Sequence, residues 1–377
     1  MHCGILFKRK DIMKNIKRFF AAALCAAIAV TAFCGCHKKD ETAVTVGKYT
    51  YTSGYYACAF VYAYNEGRQE VEKNLTASGK STTDINYEKQ KIDGKTFNEW
   101  VKEKAVENIK INAGYKALCE EKGYDLSEDE TVTAESYANT YWTTYGAEEM
   151  FSKNGVSKAT FTQYTKDTYY ADVYFEKTYG KEGTDPVSEE KLKAALNDHY
   201  VLVDKIEVDT AALSDEEVTS KKAELQGYID LLKTGSTFED VYHKHNGDTH
   251  TDSDSEDTDT SDSADAESDS STPLDSHAEL LGDDKASSTK ADFFDEAKEM
   301  AAGDIKILET TGKMALVIRK DVLEDPYYLS VYDDTLRHLE VGDEPTEAAK
   351  KKGDDLGVKT VASAVKVFKT KKIVYPE

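Results

Sequence analysis

The side chains whose types and spacing could most readily bind a metal ion lie in one short histidine-rich stretch. Three histidines and three aspartates share this stretch, namely His243, His245, His250, Asp248, Asp252 and Asp254. Imidazoles beside carboxylates can bind transition metals or calcium loosely. Their spacing here is irregular and the surrounding segment is strongly polar. We therefore interpret the stretch as a solvated linker and expect no resident metal or cofactor.

Other catalytic signatures are missing from the sequence. It contains no nucleophile elbow, phosphate-binding loop or Ser/His/Asp arrangement, and no cysteine spacing typical of zinc or redox sites. Cys58 and Cys119 are the only cysteines beyond residue 36. Outside the cytoplasm these two thiols can form a disulfide, but spacing alone does not show that they meet. Two buried free thiols are the alternative.

The first 36 residues form a targeting segment. A basic region precedes an apolar run from Phe19 to Phe33, which is short for a membrane span. Gly35 and Cys36 follow, and then polar residues. This order is similar to a bacterial lipobox, which predicts lipidation of Cys36 and a chain tethered to the outer face of the cytoplasmic membrane. A plain secretory signal and an uncleaved anchor are the alternatives, and Met13 is a second candidate start.

The charge balance narrows the choice of partners. Acidic residues number 71 against 48 basic ones, which gives a net charge of −23. Such a surface repels nucleic acid, and no patch of basic and aromatic residues argues otherwise.

The N-terminal half is predicted to be helical and rich in tyrosine. Val44 to Tyr51 alternates around Gly47 like a small hairpin, and a helical period begins at Ser53. The tyrosines from Tyr49 to Tyr64 are interpreted mainly as packing residues, with a cradle for unfolded segments as the alternative. Further helices are predicted at Phe97–Lys122, which Gly123 ends, at Val132–Phe151, after the capping box Ser127-Glu-Asp-Glu130, and from Ser157 through Phe175.

The second half mixes strands and helices. The predicted elements are a helix capped by Ser188, a strand at Val201–Val208, a helix around Ala223–Leu232, a helical turn after Gly235, a helix around Phe293–Met300, a strand at Met314–Ile318, helices at Tyr327–Leu339 and Thr346–Leu356, and a strand around Val361–Phe368. Between them, Gly247 to His277 is almost entirely Asp, Glu, Ser and Thr. Such a segment cannot bury enough apolar surface to order itself.

This order of strand, helix, helix, loop, helix and strand is that of a parvulin domain. Several stretches resemble the foldase family of PrsA-type lipoproteins and their periplasmic SurA-like relatives. They are Ser188–Tyr200, Lys222–Phe238, Phe293–Ile305 and Gly312–Ile318. The resemblance implies an extracytoplasmic chaperone or foldase that acts on unfolded secreted polypeptides.

The resemblance also implies an active site. Family members carry two paired histidines in the floor of a groove that holds the proline ring, and Lys205 and Met314 stand at the matching positions. Lysine offers only donors and methionine only a weak acceptor, so this pair cannot replace two imidazoles. His199 is the nearest histidine to the first strand and is the alternative. By the same resemblance, the peptide groove would be lined by Leu281, Phe293, Phe294 and Met300.

We therefore predict an α+β chain with four parts. They are a signal and lipidation segment (1–36), a helical SurA/PrsA-like domain (37–185), a parvulin-like domain (186–323) with a disordered acidic insert (246–278), and a C-terminal segment (324–377) that packs on the helical domain. The leading hypothesis is a membrane-anchored chaperone or foldase with impaired catalysis. The alternatives are an active peptidyl-prolyl isomerase and a surface lipoprotein that collects metal.

Overall fold

The computed structural model describes residues 40–247, 277–287 and 289–375, and these residues form an α+β structure. The predicted signal, Cys36 and most of the acidic segment, including His250, lie outside them. The described chain forms two compact units. The sheet unit runs from Val187 to Glu340, and the helical unit combines the chain up to Pro186 with the chain from Val341.

The helical unit begins with a short hairpin. Strands β1 (Thr42–Val46) and β2 (Tyr49–Thr52) pair antiparallel around Gly47, whose φ of 55° suits a residue without a Cβ. Five helices and a second small hairpin follow, in the order α1 (Ser53–Ala77), β3 (Lys91–Ile92), β4 (Lys95–Thr96), α2 (Phe97–Lys122), α3 (Glu128–Thr144), α4 (Ala147–Lys153) and α5 (Lys158–Tyr179).

Helix ends in this unit follow local sequence signals. The predicted bounds of α2 are confirmed, and Gly123 ends it in the left-handed conformation. The predicted capping box at Ser127 and Glu130 is confirmed at the start of α3. The single helix predicted from Val132 to Phe151 is wrong, because the chain breaks at Gly146, which has a φ of 76°.

The sheet unit contains a four-stranded antiparallel sheet flanked by helices. Its elements are α6 (Glu189–His199), β5 (Tyr200–Asp209), α7 (Asp215–Lys233), α8 (Phe238–Asn246), β6 (Ala278–Gly282), α9 (Phe294–Lys298), β7 (Ile305–Thr310), β8 (Lys313–Lys320), α10 (Pro326–Val331) and α11 (Asp333–Val341). The strand order is β6-β5-β8-β7, so β5 and β8 are central. Strands β6 and β7 are additional to the two strands predicted.

The two faces of this sheet are covered differently. The front face carries an apolar cluster that contains Phe293 and Phe294, the front-face cluster, which also includes Val201, Val203, Leu281, Ala297, Met300, Leu308, Ala315 and Val317. On the back face, Ile206, Met314 and Leu316 pack with residues of α7 and α8. Alternate residues of each central strand therefore belong to different clusters, as the period of two requires.

The C-terminal chain returns to the helical unit through α12 (Glu344–Leu356), β9 (Val358–Thr360) and α13 (Ala362–Val365). Strand β9 pairs with β1, and α12 packs against α2. A Cβ on Gly114 of α2 would lie 1.9 Å from the carbonyl oxygen of Ala349, so only glycine permits this approach.

Two details of this return differ from the sequence interpretation. The strand predicted around Val361–Phe368 is wrong, because that stretch contains the helical turn α13 and the strand ends earlier, at Thr360. In addition, residues 324–340, which we assigned to the C-terminal segment, pack in the sheet unit. There Tyr328 and Leu336 bury their apolar surface against Leu192.

Candidate functional site

Lys205 and Met314 do not lie together. Lys205 is opposite Val317 in the register of β5 and β8, whereas Met314 is opposite Val208. Side chains alternate between the two faces of a strand, so Met314 points to the back face with Ile206 and Val208, and Lys205 points to the front. The expectation that these two residues share one groove is therefore corrected by the register.

Lys205 belongs to an ion-pair network on the front face. Its Nζ lies 2.9 Å from Glu207 Oε2 and 3.1 Å from Glu279 Oε1. The second oxygen of Glu207 lies 2.9 Å from Nζ of Lys313, which is also 2.9 Å from Asp292 Oδ2. Burial alone would lower the pKa of Lys205, but the two carboxylates outweigh it and the pKa is raised. Lys205 is a charged structural residue in this arrangement.

The predicted groove residues do come together, but as a core. Leu281, Phe293, Phe294 and Met300 all belong to the front-face cluster, and none exposes more than 6% of its surface. Phe293 even adopts a left-handed backbone with a φ of 64°, which is rare for an aromatic residue. In this conformation the four side chains pack against one another and offer no open groove.

His199 pairs with a carboxylate at the end of α6. Its Nδ1 lies 2.7 Å from Asp283 Oδ2, and the other oxygen of Asp283 accepts hydrogen bonds from the backbone amides of Lys285 and Ala286. Burial alone would raise the pKa of Asp283, but these hydrogen bonds outweigh it and the pKa is lowered. The pair joins the start of β5 to the loop after β6.

Two histidines of the stretch that we interpreted as a linker, His243 and His245, lie in helix α8 instead. Glu239 of α8 lies 3.0 Å from Nε2 of His243 and 3.1 Å from Nε2 of His277. His245 instead faces Glu224, 3.6 Å away. No group of three or more His, Cys, Asp or Glu side chains suited to a metal ion occurs in the described part of the chain.

The two cysteines are free thiols in the described structure. Cys58 and Cys119 are both buried and do not form a disulfide. Burial raises the pKa of both thiols, that of Cys119 to about 12. Neither is therefore activated as a nucleophile.

An open cleft lies in the helical unit, at a place that the sequence did not indicate. It has a volume of 530 Å³ and is lined by Tyr64, Asp84, Ile85, Asn86, Tyr87, Glu88, Thr370, Lys371 and Ile373. We call this the tyrosine cleft. One wall is the segment 84–88 and the other is the segment 370–373, which are far apart in the sequence.

The aromatic side chains of the cleft rest on a buried support. The rings of Tyr64 and Tyr87 pack on Phe97, with centroid distances of 5.5 and 5.8 Å. Phe97 is fully buried at the start of α2. Tyr64 and Tyr87 themselves remain half-exposed, in contrast to the buried Tyr55 and Tyr56. Most of the predicted tyrosine stripe thus serves packing, and Tyr64 is the member that reaches the cleft.

Hydrogen bonds fix the wall of the cleft at residues 370–373. Thr370 donates its backbone N–H to Asn98 at 3.1 Å, and the buried side chain of Asn154 makes two hydrogen bonds with the backbone of Val374, at 2.8 and 2.9 Å. Arg68 links the walls, because its guanidinium lies 4.7 Å from the ring centroid of Tyr87 and 3.8 Å from that of Tyr375. The cleft is therefore a preformed surface.

Comparisons with known proteins find solved structures that resemble this chain. No family model matches the chain, and no curated protein matches it either. The chain is similar to the crystal structure of foldase protein PrsA from Streptococcus pneumoniae str. Canada MDR_19A, with 11% identity and a TM-score of 0.31, over 74% of this chain and 97% of that one. It is also similar to foldase protein PrsA from Lactococcus lactis, with 12% identity and a TM-score of 0.34, over 89% of this chain and all of that one.

One further observation concerns the membrane. Among the described residues, no helix combines the length and the apolar character needed to cross a bilayer.

Proposed function

We propose that this chain is a membrane-anchored extracytoplasmic chaperone or foldase that holds unfolded secreted polypeptides. The lipid on Cys36 would be its anchor, and its parvulin-like module would be impaired in catalysis. The sequence resemblance to PrsA-type lipoproteins motivates the proposal. The tyrosine cleft carries it, because an open, preformed surface with half-exposed aromatic side chains suits segments of unfolded chain.

The geometry of the sheet unit supports the loss of isomerase chemistry. Catalysis by a histidine pair needs two side chains on one face, and Lys205 and Met314 are on opposite faces. The front-face cluster beside Lys205 is also closed. A proline ring could enter it only if Phe293 and Phe294 moved.

The test is an aggregation assay together with an isomerase assay on the purified full chain. Reduced, denatured lysozyme is diluted into buffer with increasing amounts of the chain, and light scattering is followed. We expect suppression at near-stoichiometric ratios and no acceleration of cis/trans exchange in a short X–Pro peptide. Undiminished scattering at excess chain would end the chaperone proposal, and clear acceleration would make the chain an isomerase.

A double substitution tests the catalytic part directly. In Lys205→His/Met314→His the two imidazoles would occupy opposite faces of the sheet, so we expect no gain of isomerase activity. A gain would mean that the two positions meet in solution.

A further inference from the structure

We propose that the tyrosine cleft selects segments in which an apolar side chain is followed or preceded by lysine or arginine. This inference rests on the proposed function and specifies its substrate class. It starts from the uneven distribution of charge around the cleft.

The wall at residues 84–88 carries two exposed carboxylates. Asp84 and Glu88 line the cleft, and neither forms an ion pair or hydrogen bond with another described residue. Other exposed carboxylates, such as Glu103 and Glu149, do have a lysine partner. The two carboxylates are therefore available to a cation that enters from solution.

The floor of the cleft is suited to an apolar side chain. Ile85 and Ile373 contribute aliphatic surface from the two walls, and the ring of Tyr64 lies between buried Phe97 and Tyr375, with centroid distances of 5.5 and 6.1 Å. An extended chain alternates its side chains, so an apolar residue can contact this floor while its neighbour reaches the rim. Asn86 adds an amide that can bond to the backbone of a bound segment.

The opposite wall of the cleft carries charge of the opposite sign. Lys371 is exposed on the segment 370–373 and lines the cleft with a positive charge. It disfavours a lysine or arginine on its own side and favours one at Asp84 and Glu88. The net charge of −23 adds a long-range attraction for basic segments. The cleft thus orients a basic segment as well as binding it.

Two fluorescent nonapeptides with a Leu-Phe-Leu centre provide the probes, one flanked by lysines and the other by glutamates. We expect the purified full chain to bind the lysine peptide at least about 5-fold more tightly, and the difference to shrink at high salt as screening lengths fall. Equal affinities, or tighter binding of the glutamate peptide, would overturn the inference.

Charge variants locate the site. Asp84→Asn/Glu88→Gln should weaken binding of the lysine peptide by about 3–10-fold, the size of two partly exposed ion pairs. Asparagine tolerates the left-handed backbone of Asp84, whose φ is 54°. Lys371→Gln should strengthen binding about 2-fold. The matched control is Glu148→Gln/Asp355→Asn, which removes two exposed carboxylates outside the cleft and should leave affinity unchanged.

The outcomes separate this inference from the proposed function. If the chain suppresses lysozyme aggregation but Asp84→Asn/Glu88→Gln binds peptide like the control, the cleft inference fails and the chaperone function stands. If the chain neither suppresses aggregation nor binds either peptide, both fail.

Discussion

The two units use exposed and buried aromatic surface in opposite ways. In the sheet unit, Phe293 and Phe294 are enclosed beside an ion-pair network, where a proline-binding groove was expected. In the helical unit, Tyr64 and Tyr87 lie on an open cleft that rests on buried Phe97. An order of strands and helices therefore does not by itself predict an open binding surface, since the predicted groove residues form a closed cluster.

Truncation of Phe293, which should have the greatest effect on stability, tests whether the front-face cluster is closed. Phe293→Ala should lower the free energy of unfolding of the sheet unit by about 3–5 kcal/mol, because it removes a fully buried ring. Ile85→Ala in the tyrosine cleft should cost about 1 kcal/mol or less, because its side chain is already half-exposed. Urea unfolding followed by circular dichroism checks both. A small loss for Phe293→Ala would indicate an open groove after all.

The close contact between α2 and α12 gives the second largest expected change in stability. Gly114→Ala should destabilise the helical unit by about 3 kcal/mol, since the new Cβ forces α2 and α12 apart at a backbone oxygen. Gly353→Ala should cost less, because its Cβ would meet the Lys110 carbonyl oxygen at 2.6 Å, a milder clash. Hydrogen exchange of α12 amides measures the separation. Unchanged protection in Gly114→Ala would contradict the packing of the C-terminal chain on α2.

Local features of this fold were predictable and long-range ones were not. The ends of α2 and the capping box at Ser127 depend on residues within four positions, so the sequence indicates them directly. The faces of Lys205 and Met314 depend on the register between β5 and β8, and a shift of one residue changes the face. The closure of the front-face cluster was not predictable either, because no sequence pattern indicates the left-handed backbone conformation of Phe293.

The tyrosine cleft was beyond prediction for a similar reason. The wall at residues 370–373 is held by hydrogen bonds of Thr370 and Val374 to Asn98 and Asn154, which lie 272 and 220 residues earlier in the sequence. The tyrosine-rich run that ends at Tyr64 was the one sequence signal for it. That run does not distinguish tyrosines that pack in the core from tyrosines that line a binding surface.

A pH-dependent effect of intermediate size concerns the edge of the front face. Asp283→Asn should cost about 1–2 kcal/mol at pH 7, because it weakens the contact with His199 but keeps an acceptor for the two backbone amides. The folded pKa of Asp283 is lowered, so its contribution is present above the unfolded pKa and is lost as the pH falls through the folded value. The difference from the unaltered chain should therefore shrink below about pH 4.

Urea unfolding at pH 7 and pH 3 measures this difference. The exposed neighbour provides the matched control, because Asp284→Asn makes the same chemical change without the His199 contact. Equal losses for the two variants, or a loss that is undiminished at pH 3, would contradict a role for the charged carboxylate.

The smallest effect compares two helical glycines. Gly227 of α7 has open space where a Cβ would lie, so Gly227→Ala should stabilise the sheet unit by about 0.5–1 kcal/mol through helix propensity. Gly67 of α1 differs, because its Cβ would lie 2.9 Å from Cε2 of Phe97, the support of the tyrosine cleft. Gly67→Ala should therefore not stabilise the chain, because crowding against Phe97 offsets the gain in helix propensity. It should also weaken peptide binding. If Gly67→Ala stabilised the chain as much as Gly227→Ala, the packing beneath the cleft would be loose, and its walls would not be held in the geometry that selects a ligand.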